Sequence, residues 1–299
     1  MTKILLTGIT GQVGRELQQT LTSLGEVVGV SRQELDLSKP EQIKQRIAEV
    51  KPDIIVNAAA YTAVDKAETE KELAIAINAD APKAMATAAQ DISATVVHIS
   101  TDYVFNGKNH TPYLETDATD PLGVYGNSKL LGEIGVSENC DRHIILRTAW
   151  VYGSKGHGNF VKTMLRLGET KEELKVVADQ IGSPTWSYDI AEAIANLLNN
   201  RTDSTINGKY HFTNNGVASW YDLAVAIFDE ARQLGFPLTI KRVLPITTAD
   251  YPTPAQRPAY SVLSKNKYTQ ATGVYPPHWR ESLRKMLAEF KTLNIEQYE

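Results

Sequence analysis

The sequence contains a single cysteine, no long hydrophobic run and no cluster of basic residues. Cys140 on its own cannot form an internal disulfide, which excludes a small disulfide-stapled scaffold. No segment reaches the roughly 18 consecutive apolar residues that a membrane-spanning helix needs. The formal net charge is −4, so the phosphate backbone of a nucleic acid would be a poor electrostatic partner. These absences favour a small molecule as the ligand.

Histidine is also scarce. The six histidines are scattered rather than set at metal-ligand spacing, so we predict no metal site. The apolar run at residues 4–6 is too short for a signal peptide and leads directly into a glycine turn. We therefore expect a cytoplasmic protein that binds neither a membrane nor a nucleic acid.

The first half of the chain alternates short β-branched runs with segments of helical period. The runs are residues 4–7, 27–30, 53–56, 95–100 and 143–147. Continuous apolar runs of this length are typical of parallel strands that are covered on both faces by crossover helices. The fold class that we predict is α/β, a doubly wound, Rossmann-like parallel sheet with a smaller mixed lobe on the C-terminal side.

Two domains are expected from the 299 residues. Residues 1–150 would form a dinucleotide-binding domain, and residues 151–299 a mainly substrate-binding domain with some segments returning to the first. Helical period in the second part predicts helices over residues 188–199, 220–234 and 280–291.

One helix start in the first half has a recognisable cap. Ser38-Lys39-Pro40-Glu41 predicts a helix with the serine as its cap, proline in its first turn and Glu41 completing a capping box. This helix is expected to end near Val50.

Three glycines follow the first predicted strand. They are Gly8, Gly11 and Gly14, with Gln12 and Val13 between the last two. A diphosphate beside a helix start needs a tight turn, a backbone free of side chains and a close contact between helix and strand, and glycine serves each need. The spacing differs from the usual G-x-G-x-x-G. The position at the end of strand one still favours dinucleotide binding over a plain strand-to-helix turn.

The end of the second predicted strand indicates which cofactor is used. An NAD-specific site usually has Asp or Glu there, whereas this chain has Ser31-Arg32. A hydroxyl and a planar guanidinium suit a 2′-phosphate, so we expect NADPH and leave use of NADH open. The alternative is that Arg32 is a solvated loop charge. Further residues expected along the same cofactor are Asp36, Leu37, Ala58, Ala59 and Ala60.

Tyr125 and Lys129 place a phenol and an amine four residues apart, which on a helix is one face. The pair gains weight because a strand ending in Thr101 precedes it, and ligands of open α/β sheets bind at that edge. Reduction of a ketone leaves an alkoxide that needs a proton. We predict Tyr125 as the acid, Lys129 as the group that lowers its pKa, and Thr101 as a hydrogen-bond donor to the carbonyl oxygen.

With these residues in hand, the chain resembles the extended short-chain dehydrogenase/reductase family over almost its full length. The glycine turn, the strand ending in Thr101 and the Tyr125–Lys129 pair occur in the family's order. Four stretches resemble the branch of the family that reduces the C4 ketone of dTDP-4-dehydro-L-rhamnose to dTDP-L-rhamnose. They are residues 57–68, 100–105, 147–153 and 251–258.

This resemblance implies an enzyme of dTDP-rhamnose biosynthesis, which supplies cell-wall polysaccharide. It implies that Lys129 also anchors the cofactor ribose and that Asp102 and Trp150 line the sugar pocket. Asn159 and Arg257 would lie nearer the diphosphate of the nucleotide sugar. Trp150 offers a flat apolar face to a pyranose, and Arg257 offers a fork to phosphate oxygens.

The resemblance also raises the question of a metal and of a dimer. Some members of the family are homodimers bridged by Mg²⁺ through glutamates, and Glu16 and Glu289 stand in comparable contexts. No third glutamate matches in register near Tyr188. We therefore predict no metal, and we leave a homodimer open.

Three other functions stay open. Nucleotide-sugar dehydratases add an Asp-Glu pair after the threonine, whereas here Thr101 is followed by Asp102 and Tyr103, which favours reduction. A nucleotide-sugar 4-epimerase needs the same triad without net consumption of NADPH. A regulatory subunit such as that of methionine adenosyltransferase would keep the fold and be free to lose the acid, and retention of Tyr125 and Lys129 favours chemistry.

Overall fold

The computed structural model describes residues 1–156, 158–200 and 207–295. A six-stranded parallel sheet lies at its centre. Its strands are β1 (Lys3–Thr7), β2 (Glu26–Val30), β3 (Ile54–Asn57), β4 (Thr95–Thr101), β5 (His143–Thr148) and β10 (Gly208–His211). They lie in the order β2, β1, β3, β4, β5, β10, and every neighbouring pair is parallel. The predicted fold class and the five predicted strands are confirmed.

Helices surround this sheet. They are α1 (Gln12–Thr20), α2 (Pro40–Val50), α3 (Val64–Ala67), α4 (Lys71–Ile75), α5 (Ala81–Asp91), α6 (Val124–Asn139), α8 (Ser187–Asn199) and α10 (Asn266–Thr272). A π-helical segment, Ala76–Asp80, joins α4 directly to α5. The strand side chains alternate between the two faces, so that Ile4 and Leu6 pack towards α1 and α8 while Leu5 packs towards α2 and α5. Both faces are apolar because both are covered.

The second half of the chain adds a separate hydrophobic core. Its helices are α7 (Phe160–Thr170), α9 (Trp220–Gln233) and α11 (Trp279–Ile295). Its short strands are β6 (Val151–Tyr152), β7 (Glu173–Val177), β8 (Ile181–Gly182), β9 (Thr185–Trp186), β11 (Ala218–Ser219) and β12 (Arg242–Ile246), which pair as β6 with β9, β7 with β12 and β8 with β11. The three helices predicted in this half are confirmed. From the same half, α8 packs on α1 and β10 pairs with β5.

The start of α2 differs from the prediction. The helix begins at Pro40 and ends at Val50 as expected, but its N-cap is Lys39 and no side chain caps it. The N–H and the hydroxyl of Ser38 both donate to Asp36 Oδ1, at 3.0 and 2.8 Å. The predicted capping box is wrong because Asp36, two residues earlier, already holds the serine.

The order of the strands places a crevice above β1 and β3. The chain runs from β1 to its neighbour β2 on one side and then crosses to β3 on the other, and ligands of such sheets bind at this reversal. Among the described residues, no helix is long and apolar enough to cross a membrane.

Candidate active site

A cleft of about 820 Å³ runs along the carboxyl edge of the sheet. Both halves of the chain line it. The predicted residues that contribute to its wall are Gly8, Gly11, Gln12, Val13, Ser31, Arg32, Asp36, Leu37, Ala58, Ala59, Ala60, Thr101, Asp102, Tyr125, Lys129, Trp150 and Asn159. Gly14 lies behind this wall, and Arg257 lies outside it. The structure therefore gathers nearly all of the predicted residues in one place.

The glycine turn is packed so closely that side chains cannot enter it. Gly8 has φ +74°, and a Cβ there would lie 2.7 Å from the carbonyl carbon of Ala58. A Cβ at Gly14 would lie 2.0 Å from the Gly8 carbonyl oxygen. Gly11 is the N-cap of α1, and no side chain caps the helix. The free N–H groups of the first turn and the positive end of the helix dipole suit a diphosphate.

Ser31 and Arg32, which we predict to bind the 2′-phosphate, lie at the end of β2. Ser31 donates its backbone N–H to Glu34 Oε2 at 2.8 Å, which fixes the loop, and the neighbouring Arg32 side chain is exposed at the rim of the cleft. Nearby, the pKa of Asp36 is lowered by its hydrogen bonds from Ser38, with a smaller contribution from the Arg32 charge. The guanidinium is thus placed where a cofactor phosphate could reach it from the cleft.

Thr101 and Tyr125 meet at the other end of the same cleft. Thr101 is the last residue of β4, and Tyr125 lies in the first turn of α6. The helix can approach because residue 126 is glycine: a Cβ there would lie 2.2 Å from the Tyr103 carbonyl oxygen. The Thr101 hydroxyl donates its one hydrogen to Asp102 Oδ1 at 3.0 Å, so towards the neighbouring Tyr125 hydroxyl it can only accept. The predicted acid and the predicted carbonyl donor are therefore adjacent.

Burial dominates the ionisation of the two predicted catalytic groups on α6. It raises the pKa of Tyr125 to about 12, against the opposing effect of the Thr101 hydroxyl, and the Asp102 charge adds to the rise. It lowers the pKa of Lys129 to about 8, against the charge of Glu133. The predicted lowering of the Tyr125 pKa by Lys129 is wrong for the protein alone, because Lys129 is not among the groups that shift this pKa. Its amine donates to the Ile99 carbonyl at 2.6 Å instead.

Asp102 is a buried carboxyl group in the wall of the cleft. It is 2% exposed, and its Oδ2 has no hydrogen-bond partner among the described residues. Burial raises the pKa of Asp102 to about 6, in spite of the hydrogen bonds that it accepts. A buried acceptor without a partner is uncommon in folded proteins, and it marks this carboxyl group as a candidate functional group.

An aromatic wall closes the side of the cleft opposite the sheet. Trp150 has φ +48° and stacks on Trp220, with ring centroids 3.6 Å apart and planes 4° apart. The indole of Trp150 covers Gly182, where a Cβ would lie 2.5 Å from the ring. Sequence reasoning missed Trp220, and also Tyr103 and Tyr61, which line the same cleft. No spacing in the sequence connects positions 150 and 220, because only the fold brings them together.

Arg257 and Asn159 are both occupied by contacts within the protein. The Arg257 guanidinium binds Asp65 Oδ2 at 2.9 Å and also donates to Thr253 Oγ1 and the Ala255 carbonyl. Asn159 caps α7 and donates to Gln12 Oε1 at 2.7 Å, beside the glycine turn. Asn159 therefore lies at the glycine-turn end of the cleft.

Glu16 and Glu289, which were considered as metal ligands, both form ion pairs with Lys155. Lys155 Nζ lies 3.0 Å from Glu16 and 3.4 Å from Glu289. Glu192, which sequence reasoning overlooked, hydrogen-bonds to Tyr188 on α8. No group of three or more potential metal ligands occurs in the described part of the chain.

Comparison with known proteins places these features in a family. The model of the RmlD substrate binding domain matches residues 1–292. The chain belongs to this family. Among curated members, the dTDP-4-dehydrorhamnose reductase of Escherichia coli is 46% identical over 296 residues, which cover 97% of this chain and 98% of that protein. The predicted resemblance is confirmed.

Solved structures of the family agree with the fold. The dTDP-4-dehydrorhamnose reductase of Bacillus anthracis, crystallised in complex with NADP, has a TM-score of 0.90 and 39% identity and covers 97% of this chain and 100% of that one. The UDP-glucose 4-epimerase of Thermus thermophilus in complex with NAD has a TM-score of 0.79 at 20% identity, with 97% of this chain and 99% of that one covered. The second likeness shows a shared fold only.

Proposed function

We propose that this chain reduces the C4 ketone of dTDP-4-dehydro-L-rhamnose to dTDP-L-rhamnose, with NADPH as the reductant. The observation that carries the proposal is the meeting of the Thr101 and Tyr125 hydroxyls in the cleft that begins at the glycine turn. The 46% identity to the E. coli reductase over nearly the whole chain narrows the substrate to this ketone.

The residues of the cleft fit a dinucleotide. The crowded glycine turn and the uncapped start of α1 would hold the diphosphate, and Ser31 with Arg32 would hold a 2′-phosphate. Small residues at 58–60 and the side chains at positions 36 and 37 would border the rest of the cofactor, and Lys129 its ribose. NADPH supplies the hydride that adds to C4 of the sugar.

The chain's own groups handle the proton. As C4 gains the hydride, the carbonyl π bond becomes a lone pair on oxygen, and the Thr101 hydroxyl donates a hydrogen bond to that developing charge. Tyr125 transfers its phenolic proton to the oxygen, which completes the alcohol. The resulting phenolate is stabilised by Thr101 and regains a proton before the next cycle. The high pKa of Tyr125 keeps the phenol protonated, and therefore able to act as an acid, at neutral pH.

Several residues are assigned to the substrate on the same basis. Trp150 would pack against the sugar ring, and the free Oδ2 of Asp102 would accept from a sugar hydroxyl. Arg257 would reach the nucleotide diphosphate only by sharing or leaving Asp65. Asn159 would act there indirectly, through Gln12.

Three expectations accompany this function as parts of the proposal. The cofactor is held mainly by residues 1–150, and the sugar nucleotide is held mainly by residues 151–299. The reaction runs in the cytoplasm, and the enzyme works without a metal. A homodimer is compatible with each of these statements.

An absorbance assay tests the function. The purified chain is mixed with NADPH and freshly prepared dTDP-4-dehydro-L-rhamnose, or with the GDP and UDP counterparts, and oxidation of NADPH is followed. We expect one NADPH consumed per sugar, fastest with the dTDP compound. Conversion of a nucleotide sugar without net loss of NADPH would instead indicate an epimerase. No turnover with any of the three would support the regulatory-subunit alternative.

A further inference from the structure

A continuous chain of buried polar groups runs behind the cleft, and only its last member was predicted as a site residue. Thr7 Oγ1 donates to Asn57 Oδ1 at 2.7 Å, Asn57 Nδ2 lies 3.1 Å from His98 Nδ1, and His98 Nε2 lies 3.4 Å from Lys129 Nζ. All four residues are at most 2% exposed. This series of polar groups crosses β1, β3 and β4 and ends at the Lys129 amine on α6.

The orientation of Asn57 follows from its neighbours. The backbone N–H of Ala59 lies 3.3 Å from Asn57 Oδ1, and an N–H group can only donate. The amide oxygen must therefore face Ala59 and Thr7, which leaves the amide nitrogen facing the imidazole. That nitrogen also can only donate, so Nδ1 of His98 is an acceptor and carries no hydrogen.

The remaining imidazole hydrogen must then be on Nε2. Burial holds the pKa of His98 well below its usual range, so the ring is neutral. Its single N–H points towards Lys129 Nζ. An ammonium has three donors and no lone pair, whereas an amine has one lone pair. The amine form can donate to the Ile99 carbonyl and accept from His98, which satisfies every partner that the structure gives it.

We propose that His98 is a positioning residue that holds Lys129 as an uncharged amine in the free protein at mildly alkaline pH, and that Lys129 takes up a proton there when the cofactor binds. This inference rests on the proposed role of Lys129 beside the cofactor. The cofactor brings negative phosphates and ribose hydroxyls into the cleft, and both stabilise an ammonium. Tyr125 would thus gain a cationic neighbour only in the loaded enzyme.

The other charged groups around Lys129 oppose this arrangement only weakly. Glu133, one turn later on α6, favours the ammonium. Its carboxylate is bound at 2.7 and 2.8 Å by Arg147 of β5, and Lys209 of β10 lies 3.9 Å away. Tyr125, one turn earlier, is uncharged at neutral pH because its pKa is raised. Among these groups, His98 is the one that contacts the amine directly.

The tautomer of His98 can be read without any variant. In the 15N-labelled protein, a long-range 15N–1H correlation distinguishes protonated from unprotonated ring nitrogens, and His98 is assigned through its backbone. We expect hydrogen on Nε2 and a bare Nδ1 at pH 9. Hydrogen on Nδ1, or an imidazolium, would overturn the proposal and would leave the proposed reduction untouched.

Proton uptake tests the consequence. Binding of NADPH is measured by calorimetry at pH 9 in buffers of different ionisation enthalpy, where we expect uptake of about one proton per cofactor. In His98→Gln the side-chain amide can turn its oxygen to the ammonium, so uptake should fall towards zero. His143→Gln is the matched control. His143 begins β5 at the amino end of the strand, away from the cleft, where its ring bonds to the Cys140 carbonyl. No uptake by the unaltered protein, or equal uptake by His98→Gln, contradicts the proposal. Should His98→Gln not fold, the tautomer decides alone.

Discussion

At the scale of single residues, burial moves the two functional groups of α6 towards their uncharged forms. The pKa of Tyr125 rises to about 12 and that of Lys129 falls to about 8. Sequence spacing predicted that these residues share a helix face and a cleft with Thr101. It could not predict the sign of the shift at Tyr125, because desolvation depends on everything packed around a group and not on its neighbour four positions away.

Tyr125→Phe removes the proposed acid and keeps the ring. We expect turnover to fall by about 10²- to 10⁴-fold, since the alkoxide would have to take its proton from water. Cofactor affinity, measured by NADPH fluorescence titration, should change little. Tyr275→Phe is the control, because Tyr275 is 79% exposed. Equal turnover in Tyr125→Phe and the unaltered protein would show that the phenol is not the acid.

Arg32→Ala tests the predicted phosphate reader at the rim of the cleft. A guanidinium that binds the 2′-phosphate stabilises NADPH but not NADH, so the ratio of their dissociation constants should shift towards NADH. A change of about tenfold corresponds to about 1.4 kcal/mol. Arg242→Ala removes an exposed arginine of β12 that pairs with Glu173 of β7, and it should leave the ratio unchanged. An unchanged ratio in Arg32→Ala would mean that groups other than Arg32 bind the 2′-phosphate.

At the scale of elements, the close packing of α1 against β1 depends on one missing side chain. Gly14 lies in α1, and a Cβ there would meet a backbone carbonyl oxygen that cannot move aside. The strand and helix order was predictable because buried strands and amphipathic helices leave a strong pattern in the sequence. The contact distance was not predictable, since it depends on how the turn folds back on the helix.

Gly14→Ala should therefore destabilise the protein. Overpacking of this kind costs about 1 to 3 kcal/mol, and a clash with backbone lies at the upper end of that range. The free energy of unfolding of the cofactor-free protein in urea measures it. Gly158→Ala adds the same methyl group where nothing lies within 4 Å, and it should cost far less. Similar values for the two variants would mean that α1 can shift to make room.

Helix caps show why short motifs are weaker predictors than periodicity. Ser38 has the sequence context of a cap but is bound by Asp36. A true capping box occurs in the second half at Ser219, whose hydroxyl accepts from the Asp222 N–H at 3.0 Å. In both cases the serine hydroxyl donates to a nearby carboxylate, and the local backbone decides whether the serine also caps the helix.

At the scale of the whole molecule, the cleft is built by elements that are distant in sequence. The strand β10 has four residues and several strands of the second half have two, too few for a periodic pattern. The pairing of β10 with β5 could not be predicted for that reason. The division at residue 150 stays a prediction.

The free energy of unfolding should depend on pH through the ionisation of Asp102. Its pKa is raised to about 6 from an ordinary value of 3.8, so the folded state binds more protons than the unfolded state between these limits. Stability from this group is therefore present at low pH and is lost as pH rises from about 4 to 6. Asp102→Asn should abolish the effect and stabilise the protein by about 3 kcal/mol at pH 7 relative to pH 3.5.

Urea unfolding of both proteins across this pH range checks the sign. Other carboxyl groups also titrate there, but they cancel in the difference between the two proteins. Asp91→Asn removes an exposed carboxyl group and supplies the control for the substitution itself. A difference that is flat with pH for Asp102→Asn would mean that its carboxyl group is hydrated in solution.

The stacked pair of Trp150 and Trp220 gives the protein an intrinsic optical label. Two indoles in parallel contact couple their electronic transitions and quench each other's emission, while the other tryptophans, Trp186 and Trp279, are enclosed in the second core. If the proposed sugar site is correct, we expect a bound sugar nucleotide to touch this pair and to alter its near-ultraviolet circular dichroism and its emission. Occupancy of the sugar side of the cleft can thus be followed by spectroscopy without turnover and without a dye.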